Sequence, residues 1–223
     1  MKQIIKKFLP KNRFARSVSI LAGGTAAGQA VSVLSAPLLT RLYSPTDFGL
    51  LAVFVALLEL FTVVAAGRYE LTIVLPESDQ DAASIVMLSL LSVILTTVFS
   101  LAAFMIWSSE LANALNAPAL SAYLWLMPLG VFFVGTYNVF ARWAFRTKNF
   151  LHVARTRIFQ SLGTAALQIS GYKLGPLALL GGQALGQGIG ATSLMFAAMK
   201  RPELRKWSWR GIWNQAIRYR KFP

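Results

Sequence analysis

No cysteine occurs among the 223 residues, which excludes disulfides and thiolate metal sites and leaves the redox compartment open. The single histidine, His152, is too few for an imidazole metal centre. It sits in a basic loop and reads as a solvated or interfacial side chain. Charge of any kind is scarce, at 13% of residues, against roughly 25% in ordinary soluble domains. Acids are scarcer than bases: 8 Asp and Glu stand against 22 Lys and Arg, for a formal charge of +14. Also missing are a phosphate-cradling glycine loop, a Ser/His/Asp arrangement and an acid pair at glycosidase spacing in a soluble setting. Nothing here asks for an enzyme, a cofactor or a metal.

What fills the chain instead is apolar sequence, 56% of residues, with a mean hydropathy of +0.56. A span needs about 20 mostly apolar residues. Six stretches qualify: about 17–40, 48–66, 82–107, 119–141, 157–173 and 177–198. The fifth is short and carries Gln160 and Gln168. A basic protein with its charges spread through polar sequence would point to nucleic acid. Here the bases cluster between apolar runs, so the partner is a membrane and not nucleic acid. The expected fold is all-α, a polytopic bundle of about six transmembrane helices. A basic segment, 1–16, precedes the lobe at 17–198, and a basic amphipathic segment, 199–223, follows it.

Of the 22 bases, all but Arg41 and Lys173 fall on one side of this topology. Because Lys and Arg are retained in the cytoplasm, both termini are expected there. The start, "MKQIIKKFLPKNRFAR", resembles a signal-peptide n-region, but the apolar run continues to Thr40 and losing it would upset the charge pattern. Near the end, Trp209, Ile212, Trp213 and Ala216 share one helical face amid basic residues, as in a helix lying on an anionic leaflet. Trp107 and Trp143 stand near span ends, where amphipathic rings prefer the interface.

Polar groups inside the spans carry the functional signal. Glu59 lies roughly 17 Å into the second span, where a bare charge costs about 2.5–3.5 kcal/mol or more. Its neighbours at three- and four-residue steps, Ala52, Val55, Ala56, Thr62 and Ala66, are mostly small. That spacing puts the acid away from lipid, paired, protonated or facing water. Stripes at similar spacing run through span 1 (Thr25, Gln29, Ser32, Ala36), span 3 (Ser89, Ser92, Thr96, Ser100) and span 5 (Ser161, Thr164, Gln168, Tyr172). One such stripe is ordinary helix adhesion, whereas several converging on an acid describe a hydrated pathway. Gly182, Gly186 and Gly190 in span 6 read as a packing seam, and Gly24 and Gly28 as a similar pair. Pro37 and Pro128 read as breaks or kinks. Arg68 and Glu70 stand at the end of span 2, and Glu77, Asp79 and Asp81 follow in a loop where Asp81 would cap span 3. Arg41, on the side otherwise nearly free of bases, suits a phosphate or carboxylate.

The segments "APLLTRLYSPTDFGLLAVF", "GRYELTIVLP", "ARWAFRTKNF", "GPLALLGGQALGQGIG" and "RYRKFP" together resemble the N-terminal half of a polysaccharide biosynthesis protein. These are flippases that move lipid-linked oligosaccharide, such as O-antigen repeat units, across the bacterial inner membrane. The resemblance covers roughly residues 17–223. It implies one lobe of a two-lobe multidrug/oligosaccharidyl-lipid/polysaccharide exporter, in which an undecaprenyl-pyrophosphate type head crosses a central cavity while the lipid tail stays in the membrane. It makes Arg41, Arg68 and Arg142 candidates for the anionic head and Glu59 a candidate for ion coupling or arginine pairing. Glu70, Gln29 and Gln168 complete the expected pathway set. The chain departs from the family in stopping after one lobe, so a second lobe or second copy is the expected partner. A non-transporting membrane protein, either an inactive remnant or a scaffold of a glycan-assembly complex, and a small-molecule exporter of the same superfamily are the competing readings.

Overall fold

The computed structural model describes residues 13–205 and 207–220. Among them there is no strand. Long helices dominate: α1 (Arg13–Leu42), α2 (Pro45–Ala65), α3 (Asp79–Ala114), α4 (Met127–Arg146), α5 (Phe150–Ser170) and α6 (Pro176–Met199), followed by the short α7 (Trp209–Arg218). Single 3-10 segments at Tyr69–Val74, Pro118–Leu126, Tyr172–Leu174 and Pro202–Arg205 join them. Most of the basic segment 1–16 lies outside the described residues.

Local chemistry sets the boundaries. Ser44 and Asp47 cap α2 reciprocally: Ser44 Oγ accepts from the Asp47 amide, and the Asp47 carboxylate accepts from the Ser44 amide, with Pro45 opening the helix. Ser78, not Asp81, caps α3, because its Oγ accepts the Asp81 amide at 3.0 Å. The expected span 119–141 is divided, a 3-10 run over Pro118–Leu126 leading into α4. Pro128 therefore stands in the first turn of α4 rather than breaking a span, where its missing N–H costs no helical bond. Pro37 lies inside α1, which continues through it. The interruption occurs at Trp107, whose φ of −113° and ψ of 21° divide α3.

Four helical segments are long and apolar enough to cross a membrane: Ala15–Leu42, Pro45–Ala65, Asp79–Ala114 and Pro118–Arg146. The protein is thus an all-α polytopic membrane bundle. The other two expected spans correspond to α5 and α6, with 21 and 24 residues. At about 1.5 Å per residue they too have the length to cross. Glutamines in both and the glycines of α6 keep them out of the more apolar set.

α4 forms the centre of the bundle and packs against α2, α3 and α6. α1 stands at the edge and packs chiefly on α5, leaving most of its length exposed. Close approach is possible there because Gly24 lies on Ala154 and Gly28 on the backbone of Arg157. Both contacts advance in the same direction, so α1 and α5 run parallel. Gly182, Gly186 and Gly190 of α6 face Gln168, Thr164 and Gln160 of α5 in descending order, so those two helices run antiparallel. A Cβ on Gly182 would stand 2.7 Å from Gln168 Cγ.

At the base-rich end, Arg146 ties three pieces of chain together. Its guanidinium pairs with Asp79 at 2.8 Å and donates to the carbonyls of Ile73, Pro76 and Glu77. Only 12% of the arginine side chain is exposed, against 60% for Asp79. The ion pair itself therefore contributes little. The larger loss on truncation is the donor to three loop carbonyls. Arg146→Ala is expected to cost about 2 kcal/mol, read as a melting temperature lower by about 4–8 °C in detergent, whereas Asp79→Asn should cost less than half as much.

α7 docks on the start of α3. Ile212, Gln215 and Tyr219 are buried, and Gln215 Nε2 donates to Asp81 Oδ1 at 2.9 Å. The sequence put Ile212 on the same face as Trp209 and Trp213. In the fold Ile212 turns inward, while the two tryptophans remain 70% and 69% exposed. Trp143, expected at an interface, is instead buried at 2% exposure, because α4 is surrounded by other helices. His152 is not a free loop residue either: it lies in the first turn of α5 with Nε2 beside Ser193 Oγ and O, at 3.2 and 3.3 Å.

Candidate intramembrane polar site

Two of the expected polar stripes meet. Thr25, Gly28, Gln29 and Ser32 from α1 face Arg157, Gln160, Ser161 and Thr164 from α5, and Gln183 and Gln187 from α6 close the third side of a cavity of about 240 Å³. Most of the wall is hydroxyl or amide. Arg157 sits roughly 10 Å along α5 and Thr164 roughly 20 Å, so the cavity reaches from the base-rich end toward mid-span. Gln160 Nε2 donates to Gln187 Oε1 at 3.1 Å and to Gln187 O at 3.3 Å, locking one amide between helices. Thr25 and Ser32 return their hydroxyls to Leu21 O and Gly28 O of their own helix, which leaves their oxygens with lone pairs for another donor.

Arg157 supplies the cavity's one full charge among its lining residues. Its guanidinium carbon lies 4.8 Å from the centroid of the Tyr137 ring on α4. A cation over an aromatic face is held by the ring quadrupole, so the guanidinium is oriented while its five donors remain available. No acid lines the cavity. The arrangement suits an anionic, hydroxyl-rich ligand: a planar donor fork for phosphate oxygens, with amides and hydroxyls for sugar.

The stripe on α3 goes elsewhere. Ser89 and Ser100 are buried at 0% exposure within the bundle, so this row serves helix packing and does not line the cavity. Gln168 is also inside the lobe, where Nε2 donates to Leu179 O at 2.9 Å and the Gln168 backbone carbonyl accepts the Tyr43 hydroxyl at 2.6 Å. It clamps α5 to α6 and to the α1–α2 turn. Gln29 does line the cavity. Arg157, Gln160, Gln183 and Gln187 were not singled out from the sequence, although Arg157, Gln160, Ser161 and Thr164 follow a three- and four-residue rhythm that places them on one face.

Glu59 lies on an exposed face of α2 with Ala52 and Ala56, not enclosed within this lobe. The bulky Phe54 and Leu58 turn inward instead, at 0% and 4% exposure. The small-residue side expected to face the interior is the side that packing within the lobe leaves open. Large side chains fill the core, and no arginine pairs with Glu59 among the described residues. Arg41 is exposed in the last turn of α1, where a cation is favoured by the helix dipole.

Arg68, Glu70 and Arg142 form a second group. Arg68 takes a left-handed backbone, φ 53°, ahead of the 3-10 turn that carries Glu70. Burial raises the Glu70 pKa above 4.5, opposed by its own backbone amide and by the charges of Arg142 and Arg68. Its Oε2 is buried without a hydrogen-bond partner. Since the folded value is the higher one, the folded state binds more protons between the two values, and stability falls as pH rises through that window. The melting temperature of Glu70→Gln is therefore expected to gain on that of the native protein as pH climbs above 4.5. A constant difference would mean that Glu70 does not titrate in that window.

No curated protein and no solved structure matches the chain. A family model described as polysaccharide biosynthesis protein matches residues 38–215, a somewhat shorter stretch than the resemblance in the sequence implied. The match takes in α2 to α6 and most of α7, and with them the α5 and α6 walls of the polar cavity. The match spans well over half of the sequence, and the chain belongs to the polysaccharide biosynthesis protein family.

Proposed function

We propose that this chain moves lipid-linked oligosaccharide across the bacterial inner membrane, as one of two lobes around a shared pathway. The observation that carries the reading is the cavity of Arg157, Gln29, Gln160, Gln183 and Gln187 between α1, α5 and α6. Glycan hydroxyls pair with amides and hydroxyls, a pyrophosphate pairs with a guanidinium, and the polyprenyl tail has no reason to leave the lipid. The base-rich end, with the start of α1 and the turn between α4 and α5, then faces the cytoplasm.

The open faces of α1 and α2 belong to the same reading. Gln29, Arg41 and Glu59 are exposed there, and exposing Glu59 to hydrocarbon is costly. A second wall, from another lobe or another copy of this chain, would enclose them. In that setting Glu59 either pairs with an arginine across the pathway or carries a proton during the cycle.

The test is complementation of a bacterial strain lacking its flippase, with these residues expressed alone and with a matching second lobe, scoring surface polysaccharide. Export in either case supports the reading. Normal membrane insertion with no export in both cases would favour a scaffold role. Normal export by a Glu59→Leu variant would remove Glu59 from the mechanism while leaving the cavity proposal standing.

A further inference from the structure

A larger cavity, about 690 Å³, opens at the base-rich end between the first turns of α1 and the turn that enters α5. Two cations stand on it, Arg16 and Lys148, and its walls are apolar: Val18, Ile20, Leu21, Phe150 and Leu151. We infer that this cavity binds an anionic phospholipid of the inner leaflet, phosphate against Arg16 and Lys148 and acyl chain along the apolar wall.

Three features converge on that occupant. First, the charge is uncompensated, since no acid lines the cavity and no ion pair to Arg16 or Lys148 forms among the described residues. Second, the site combines charge with oil. Val18 and Leu151 remain 50% and 49% exposed beside the two cations, a surface that neither water nor a free ion covers well but a phosphate with its attached chain does. Third, Lys148 is held in place by the backbone. It occupies the left-handed position that closes α4, φ 57°, with the Asn149 amide bonded to Ala144 O at 2.8 Å and the Lys148 amide to Phe145 O at 3.1 Å. Glycine is the ordinary residue at this helix-closing position, so a lysine there accepts backbone strain and sets a cation at the mouth of the cavity. Phe145 and Phe150 stack across the same turn, 6.1 Å between ring centroids, and brace it.

The location fits an inner-leaflet lipid, because the cavity lies where the first span meets the base-rich surface. The inference rests on the proposed orientation but not on the transported substrate. It differs in place from the Arg157 cavity, so the two can fail separately.

The experiment uses the purified chain in a neutral detergent and follows thermal unfolding during titration with dioleoylphosphatidylglycerol, dioleoylphosphatidylcholine or inorganic phosphate. The native protein is expected to gain stability with phosphatidylglycerol alone. Losing both cations, in Arg16→Gln with Lys148→Gln, should raise the half-saturating lipid concentration roughly thirtyfold. Leu21→Trp with Leu151→Trp keeps the charges but fills the apolar wall, and should abolish the shift. Lys200→Gln with Arg201→Gln, basic residues outside the cavity, should leave it unchanged. An equal shift in the Arg16/Lys148 variant or a lost shift in the Lys200/Arg201 variant would replace the site by general surface attraction. An equal shift with phosphatidylcholine would remove the charge requirement, and one with inorganic phosphate would remove the lipid. Saturation by a prenyl phosphate with no response to phosphatidylglycerol would also overturn the assignment.

Discussion

Leucine at Gly186 is expected to separate α6 from α5 and to deprive the protein of most of its folded yield. A Cβ at this position already collides with the side chain of Thr164 and stands 3.0 Å from its Cα, so the obstruction is partly backbone and cannot rotate away. Overpacking a well-filled core costs about 1–3 kcal/mol when neighbours can shift. Here the neighbours are the Gln160–Gln187 and Gln168–Leu179 hydrogen bonds, which would be stretched together. A loss above about 3 kcal/mol is therefore expected, a large share of the 5–15 kcal/mol that holds a typical protein folded. The measurement is the monodisperse fraction and melting temperature after detergent extraction. Gly186→Ala should give a milder version, and combining it with Thr164→Gly, which moves the small residue to the facing helix, should recover most of the loss. Unchanged stability of Gly186→Leu would mean that the two helices do not meet at this line.

The glycine spacing in α6 was visible in the sequence as a small-residue face, because a four-residue repeat is a local property of one helix. Thr164 and Gln168 were legible as part of a polar stripe, but that this row, with Gln160, meets the α6 glycines could not be read, since nothing local says which helix arrives or in which direction. The same limit explains the two stripes that behaved differently. Thr25 and Gln29 face a cavity, while Ser89 and Ser100 are packed away, although the four have similar spacing and chemistry. Periodicity fixes a face, and the neighbours decide what that face does.

Single charges were harder still. Arg146 bonds to groups some 70 positions earlier in the chain, and a sequence offers no sign of such pairing. Arg157 was not singled out from the sequence, yet the cation–π contact with Tyr137 holds it against the bundle. Glu59 shows the reverse case. Its depth and small neighbours were legible, but whether the small side points into the lobe depends on Phe54 and Leu58 winning the core. They bury more apolar surface than alanines can, so the acid was left on the outer side. Helix starts depend on local bonds, yet they were missed too: Ser44, Pro45 and Asp47 start α2 ahead of the expected span, and Ser78 takes the capping place expected of Asp81.

On the proposed function, Arg157→Gln is expected to lower the rate of lipid-linked oligosaccharide flipping about tenfold to a hundredfold while leaving expression and melting temperature close to native. The argument for the first half is electrostatic. Hydrogen bonds to a charged group contribute about 1.5–3 kcal/mol, and the planar guanidinium can give two of them to one phosphate. The argument for the second half is exposure: Arg157 is open to the cavity and has no ion-pair partner among the described residues, so removing its charge strands no buried counterion. Arg157→Lys keeps the charge but gives up the planar fork, and should recover only part of the rate. Tyr137→Leu isolates the orienting contact, since it leaves Arg157 intact while removing the ring beneath it. Its rate should fall between those of Arg157→Lys and the native protein, at some cost in stability because Tyr137 is buried. Flipping is best read in proteoliposomes as protection of a fluorescent lipid-linked sugar from an external quencher, with a second lobe supplied if complementation requires one. A native rate for Arg157→Gln would exclude the α1–α5–α6 cavity as the path of the charged head, and the exposed face of α2 around Glu59 would become the place to look.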